Sequence, residues 1–238
     1  MDTSPQKTPA IVLSSVKYGD NGHVVRMFTP ASGLVAFMVH SLRSKKGGKM
    51  RPSMVLPMSM LDIVIQSKSK GSLKTIQEAH PLQHWETLHM DPIKMTLCTF
   101  AAEVIQKSIS EGHPDELFFN RVSDWLKEMD SNGAQLSIAT HQLLLSVCRH
   151  LGCYPHFETY KENYIFDMID GCFAAEAPDH KHWLTARESV ALKRLVEGEK
   201  PSKEIRQRLL DELLGYIRIH HESFGTIKSL EILRTILA

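Results

Sequence analysis

The sequence predicts an α+β chain: a five-stranded β-barrel over residues 1–80, then an α-helical domain over 81–238 with a small β-hairpin inserted at 153–183. Three observations carry this reading. Short apolar or alternating runs between turn residues fill the first 80 positions, apolar residues recur at three- and four-residue spacing beyond residue 91, and the sign of the charge reverses between the two parts.

The candidate strands are Ile11–Val16, Val24–Thr29, Leu34–Val39, Met54–Ile65 and Leu73–Ala79. Turn signals separate them: Tyr18 to Gly22, Pro30 to Gly33, the run around Gly47 and Gly48, and Lys70 to Ser72. Asn21-Gly22 and Ser32-Gly33 are expected to supply the positive φ of tight hairpin turns. Five short strands with no helical stretch long enough for a βαβ unit read as a small closed barrel. The five-stranded OB fold is the commonest such barrel, and it often binds oligonucleotides. Residues 1–8 read as a loose tail.

Helices account for the rest. Asp91 can cap a helix whose first residue is Pro92, with Ile93, Leu97, Phe100, Val104 and Ile105 following. A second is expected from Pro114, with Leu117, Phe118, Val122, Trp125 and Leu126 on one face, and a third runs to Leu151 with Gly152 as its C-terminal cap. Thr185 and Glu188 form a capping box before a helix that Gly198 ends. Two more carry Ile205 to Ile217 and Leu230 to Leu237.

Composition bounds the function classes. A chain of 238 residues with 42% hydrophobic residues can bury a core without a disulfide or metal staple. The longest uncharged apolar-leaning stretch, Thr29–Leu42, is broken by Pro30, Ser32 and Gly33 and is too short to span a bilayer. The opening residues lack the apolar segment of a secretory signal, so the expected compartment is the cytoplasm, where thiols stay reduced. Cys98, Cys148, Cys153 and Cys172 form no C-x-x-C pair and read as buried small residues rather than zinc ligands.

The net charge of +1 hides an asymmetry. Residues 1–80 hold 11 Lys and Arg against 4 acids, and residues 81–238 hold 17 against 23. Five cations fall in the run from Arg43 to Arg51: Arg43, Lys45, Lys46, Lys49 and Arg51. Arg26, Lys68, Lys70 and Lys74 extend the excess through the strands, and a potential of this sign attracts polyanions. A solvated loop is the plain alternative for the 43–51 run. Residues 1–80 hold only three aromatics, Tyr18, Phe28 and Phe37, so the barrel looks short of the exposed rings on which single strands stack. Binding is therefore expected to be electrostatic, sequence-blind and steep in salt.

Catalytic signatures are missing. Gly47-Gly48-Lys49-Met50 lacks the spacing and terminal hydroxyl of a phosphate loop, and His220-His221-Glu222 lacks the H-E-x-x-H spacing that puts two ligands on one helical face. No G-x-S-x-G elbow occurs. His180 and His182 read as surface residues, and Asp115-Glu116 and Asp211-Glu212 as solvated helix faces. The expected class is a binding protein rather than an enzyme, with no cofactor.

A set of short motifs runs through most of the chain. Lys7-Thr8-Pro9-Ala10-Ile11-Val12-Leu13 resembles the opening K-T-x-G-I-V-L strand of the bacterial RecO family of recombinational DNA repair proteins, and Phe28 to Leu34 resembles its F-T-x-x-x-G-L turn. Phe100-Ala-Ala-Glu103 with Asp115 to Phe118 is similar to its Y-x-x-E…P-x-L-F segment, and Leu151 to Pro155 to its L-G-x-x-P. The stretch from Tyr216 through His221 and Phe224 to Lys228-Ser229-Leu230-Glu231 resembles its Y-x-x-x-H…F…K-S-L-E ending. Order and spacing over roughly 230 residues make the set specific.

The resemblance implies an accessory protein that binds single- and double-stranded DNA and anneals complementary strands. It implies partners in RecR, in some members RecF, and the acidic tail of single-stranded-DNA-binding protein, which RecA is helped to replace. Arg43, Lys45, Lys46, Lys49 and Arg51, then Arg26, Lys68, Lys70 and Lys74, are the expected DNA contacts. Lys94, Lys107, Arg121 and Arg149 are the expected cationic rim for the acidic tail. An RNA- or protein-binding adaptor is the alternative. Two departures stand out. His40-Ser41-Leu42 replaces the family's K-G-A, and Thr159, Tyr160 and Asn163 stand in the region of a four-cysteine zinc site. The hairpin is therefore expected to be held by Tyr164, Phe166 and Phe173, with no metal.

Overall fold

The computed structural model describes residues 6–40, 42, 50–65 and 73–237, and the chain divides into two compact units: 1–134 with 227–238, and 135–226. The first unit contains strands β1 (Gln6–Tyr18), β2 (Gly22–Thr29), β3 (Gly33–Val39), β4 (Met60–Ile65) and β5 (Lys74–Pro81). They close into a barrel in the order β1-β2-β3-β5-β4, with β3 and β5 parallel and every other pair antiparallel. The long β1 serves twice: residues 6–11 pair with β4 and residues 11–18 with β2. Within the ladder to β2 the register shifts between Val12 and Ser14, and the Val12 backbone groups bond outside that ladder. Its N–H donates to Ser59 O, and its carbonyl accepts Met58 N–H at 2.7 Å.

Strict alternation builds the core. Ala10 and Val12, Val25 and Met27, Val35, Phe37 and Val39, and Leu61, Ile63 and Ile65 all point inward. A one-residue slip of any strand would turn its whole apolar set outward, at about 1.5–3 kcal/mol per side chain, so the register is fixed.

The strands differ from the sequence reading in three places. Residues 6–8 belong to β1 rather than to a tail. β4 begins at Met60, because Pro52–Val55 forms a 3₁₀ turn and Pro57 offers no N–H to a ladder. Positive φ falls on Gly19 and Gly33, not on Gly22. Gly22 instead opens β2, where a Cβ would sit 2.6 Å from Tyr18 O. At Gly33 (φ +61) a Cβ would lie 2.4 Å from Ser110 O and 2.5 Å from His113 O. The Pro30–Gly33 turn is thus clasped by the 110–115 segment, through Leu34 N–H to Ser110 O, Gly112 N–H to Ser32 O and Asp115 N–H to Pro30 O.

Helices α1 (Pro92–Ser108) and α2 (Glu116–Asp130) belong to the same unit. Asp91 caps α1 by accepting from Ile93 and Lys94 N–H, with Pro92 in its first turn as expected. The cap of α2 is Asp115, one residue beyond Pro114. Strands give way to helices at Pro81, close to the change of pattern at residue 80, yet the compact unit continues to residue 134. The reason lies on the barrel's outer face. Phe28 points outward and packs against Phe118 and Phe119, with ring centroids 5.6 and 5.4 Å away. Ser14 bonds Gln106 of α1 at 2.8 Å.

The second unit holds helix α3 (Leu136–His150), strands β6 (Ile165–Asp167), β7 (Cys172–Ala174) and β8 (Trp183–Leu184), and helices α4 (Ala186–Val196) and α5 (Lys203–His220). The expected hairpin is β6–β7, and β8 widens it to a three-stranded sheet. Phe173 meets the rings of Phe157, Tyr160 and Phe166, and Phe166 meets Tyr216. Tyr164 lies apart from this stack, beside the Lys161 ammonium. The Thr185–Glu188 capping box is present, and Gly152 and Gly198 take positive φ after α3 and α4. The last helix, α6 (Leu230–Leu237), rejoins the first unit.

Candidate nucleic-acid interface

Six of the expected DNA contacts, Arg43, Lys45, Lys46, Lys49, Lys68 and Lys70, lie outside the described residues. The described three fall in two places. Arg26 sits on β2 opposite Ser14 and Ala36, on the outward face of the pleat and half-buried. Lys74 opens β5 in parallel register with Phe37. They therefore flank consecutive residues of β3, about 10 Å apart across two strand spacings, on alternate faces. Lys17, exposed near the end of β1, lies opposite His23. Lys7 is engaged with Asp62 at 2.8 Å, and this bond raises its pKa above the usual lysine value.

Arg51 lies elsewhere, exposed before the 3₁₀ turn, where it lines an open cleft of about 960 Å³ along the start of β4 and the end of β5. The same cleft is lined by a group that sequence reasoning missed: His80, His84, Trp85 and His89. The signal was present as three histidines and a tryptophan within the ten residues 80–89, from the end of β5 onward. This group is pinned. Trp85 Nε1–H donates to Met58 O at 3.3 Å, and His89 Nε2 lies 2.9 Å from Pro57 O. The Asp130 carboxylate accepts Glu86, Thr87 and Leu88 N–H at 2.8–3.0 Å. Burial pushes this carboxyl's pKa up, but those N–H groups and the Thr87 hydroxyl outweigh it and hold it below the usual aspartate value.

The four residues expected at the tail rim differ in how they are engaged. Lys94 is buried, its ammonium donating to Thr87 Oγ1 (2.7 Å), Ser131 O (3.1 Å) and Asp130 O (3.4 Å). It braces the connector and is withdrawn from the rim. Lys107 pairs with Glu103 at 3.6 Å, and Arg121 is half-buried on α2. Arg149, in the second unit, stacks its guanidinium 3.4 Å over the Tyr154 ring. His180 Nε2 is 3.3 Å from Asp167, and His220 Nε2 is 3.0 Å from Met168 O. Among the described residues no three His, Cys, Asp or Glu side chains gather as a metal cluster, and no helix is long and apolar enough to cross a membrane.

A closed barrel in this strand order, with cations on its strands and a helical continuation, defines an OB-fold protein. Residues 1–85 match the family model described as Recombination protein O N terminal. The DNA repair protein RecO of Flavobacterium psychrophilum is 30% identical over 240 residues, covering 98% of this chain and 99% of its own length. That of Phocaeicola vulgatus is 28% identical over 243 residues, covering 98% and 99%. The chain belongs to the RecO family of DNA repair proteins.

Proposed function

We propose that this chain is a recombination mediator, not an enzyme, acting in the cytoplasm on the nucleoid. It binds single- and double-stranded DNA without sequence preference, anneals complementary strands and, with RecR and in some settings RecF, helps RecA replace single-stranded-DNA-binding protein. The observation that carries this reading is an OB barrel with a cationic excess inside a chain that its RecO relatives match end to end. Annealing needs two phosphate backbones to approach. A surface that neutralises both lowers their repulsion and releases counterions. Arg43, Lys45, Lys46, Lys49 and Arg51, with Arg26, Lys68, Lys70 and Lys74, are the proposed phosphate contacts. Lys107, Arg121 and Arg149 remain the proposed contacts for the acidic tail, each to be tested by charge reversal in a tail-peptide titration.

The deciding experiment is strand annealing with and without RecR and RecA, alongside binding to single-stranded DNA, duplex and structured RNA. Neutralising about five phosphates gives a log–log salt slope near −3.5 on single strands and about −4.5 on duplex. A slope shallower than about −1.5, or RNA preference without annealing, would reject the reading in favour of an RNA- or protein-binding adaptor.

A further inference from the structure

The cleft lined by Arg51 and the 80–89 segment mixes hydrogen-bonding side chains with an apolar floor of Met54, Met60 and Leu61. Gln77 and Gln83 offer amides, His80 and His84 exposed imidazoles, and Arg51 a guanidinium. Its one acid, Glu78, stands 3.9 Å from His80. Trp85 is the large aromatic of the lining, half-buried, with its ring held by the bond to Met58 O and its backbone neighbours held by Asp130. Such a ring needs no ordering before a ligand stacks on it. In the sequence Arg51 stands two positions after Lys49, the last cation before it in the basic run.

We propose that this cleft takes a short segment of single-stranded DNA, with one base stacked on Trp85 and a neighbouring phosphate on Arg51. The proposal rests on the DNA-binding reading above and adds to it a short-range contact that salt does not screen. It also supplies the stacking platform that residues 1–80 lack: the barrel borrows the ring from the connector that follows it. Stacking tolerates every base, so the contact is compatible with sequence-blind binding.

The test uses the full chain, labelled oligo(dT), and the variants Trp85→Phe and Trp85→Leu. Saturating oligo(dT) should quench tryptophan emission in the parent protein. Trp125 is buried and Trp183 lies on β8, so Trp85→Phe should abolish the quench while holding affinity within about threefold, its ring still stacking. Trp85→Leu should weaken binding roughly five- to hundredfold at every salt concentration and leave the log–log slope unchanged. Quenching that persists in Trp85→Phe, or that is missing in a parent protein that binds, would overturn the cleft proposal. Full affinity in Trp85→Leu would do the same. Should Trp85→Leu not fold, the Trp85→Phe quench decides alone. A parent protein that does not bind oligo(dT) overturns the DNA-binding reading itself.

Discussion

Replacing Glu103 by glutamine tests how the last helix is held. The Glu103 carboxylate accepts Lys228 N–H and Ser229 N–H, both at 2.8 Å, and the Ser229 hydroxyl at 2.7 Å, so it caps the start of α6 from a different helix. These residues belong to two motifs more than a hundred positions apart, F-A-A-E and K-S-L-E, and their meeting is the physical reason for both. Glutamine keeps one acceptor and turns an NH₂ toward a donor. A charge-assisted bond contributes about 1.5–3 kcal/mol and the helix-terminus charge about 0.3–1 kcal/mol more. The side chain is 22% exposed, so little of this is screened away. A loss of about 1.5–3 kcal/mol should speed hydrogen exchange of the α6 amides roughly ten- to hundredfold, with the barrel strands unaffected. Burial raises the Glu103 pKa, but the bonds from Ser229 and Lys228 and the Lys107 charge outweigh it, leaving the pKa lowered. A lowered carboxyl stabilises above its unfolded value, near 4.3, and that contribution is lost as pH falls through the folded value. Protection of α6 should therefore decline below about pH 4 in the parent protein and not in the variant. Exchange in α6 unchanged by Glu103→Gln would refute the capping argument.

Three further outcomes follow from the structure. Gly33→Ala forces a Cβ against two carbonyl oxygens at positive φ and should cost about 2–4 kcal/mol, read as a lower denaturant midpoint for the first unit. Asp130→Asn removes the shared acceptor of the 86–88 amides; it should cost about 1–3 kcal/mol and raise proteolysis within residues 82–91. By the same sign argument as for Glu103, the parent's protection there falls as pH drops below about 4. Arg26→Glu and Lys74→Glu should each reduce the steepness of the salt slope by about 1, measured on single strands; an unchanged slope would remove that residue from the interface.

Much of the fold was legible because it obeys simple periods. Short apolar runs marked the positions of β2 and β3, and Asp91-Pro92 and Thr185–Glu188 marked two helix starts through the donors they satisfy. Turn conformation was less legible: Asn21-Gly22 carries the right residues, yet the left-handed residue is Gly19, because the turn occupies 19–21 and Gly22 is already in the ladder. The burial of Lys94 was readable in principle, since it stands three and four residues before Leu97 and Cys98 on the core face of α1. A charged residue on that face reads as surface until its oxygen partners are known, and two of the three lie more than thirty positions away. The cleft wall escaped for a similar reason: His84 and Trp85 come to line one cleft with Arg51, more than thirty positions away, only in the folded chain.

The return of α6 makes the first unit discontinuous, with 92 residues inserted between Ala134 and Ile227. A ribosome must therefore synthesise the whole insert before the carboxylate at residue 103 can meet its partners. Until then that carboxylate waits on α1 without its cap ligands, and the barrel unit stays incomplete while the second unit is already free to fold. Nascent chains halted short of residue 227 should accordingly leave uncovered the side of α1 that α6 packs against, a window in which a chaperone has access that the finished protein denies.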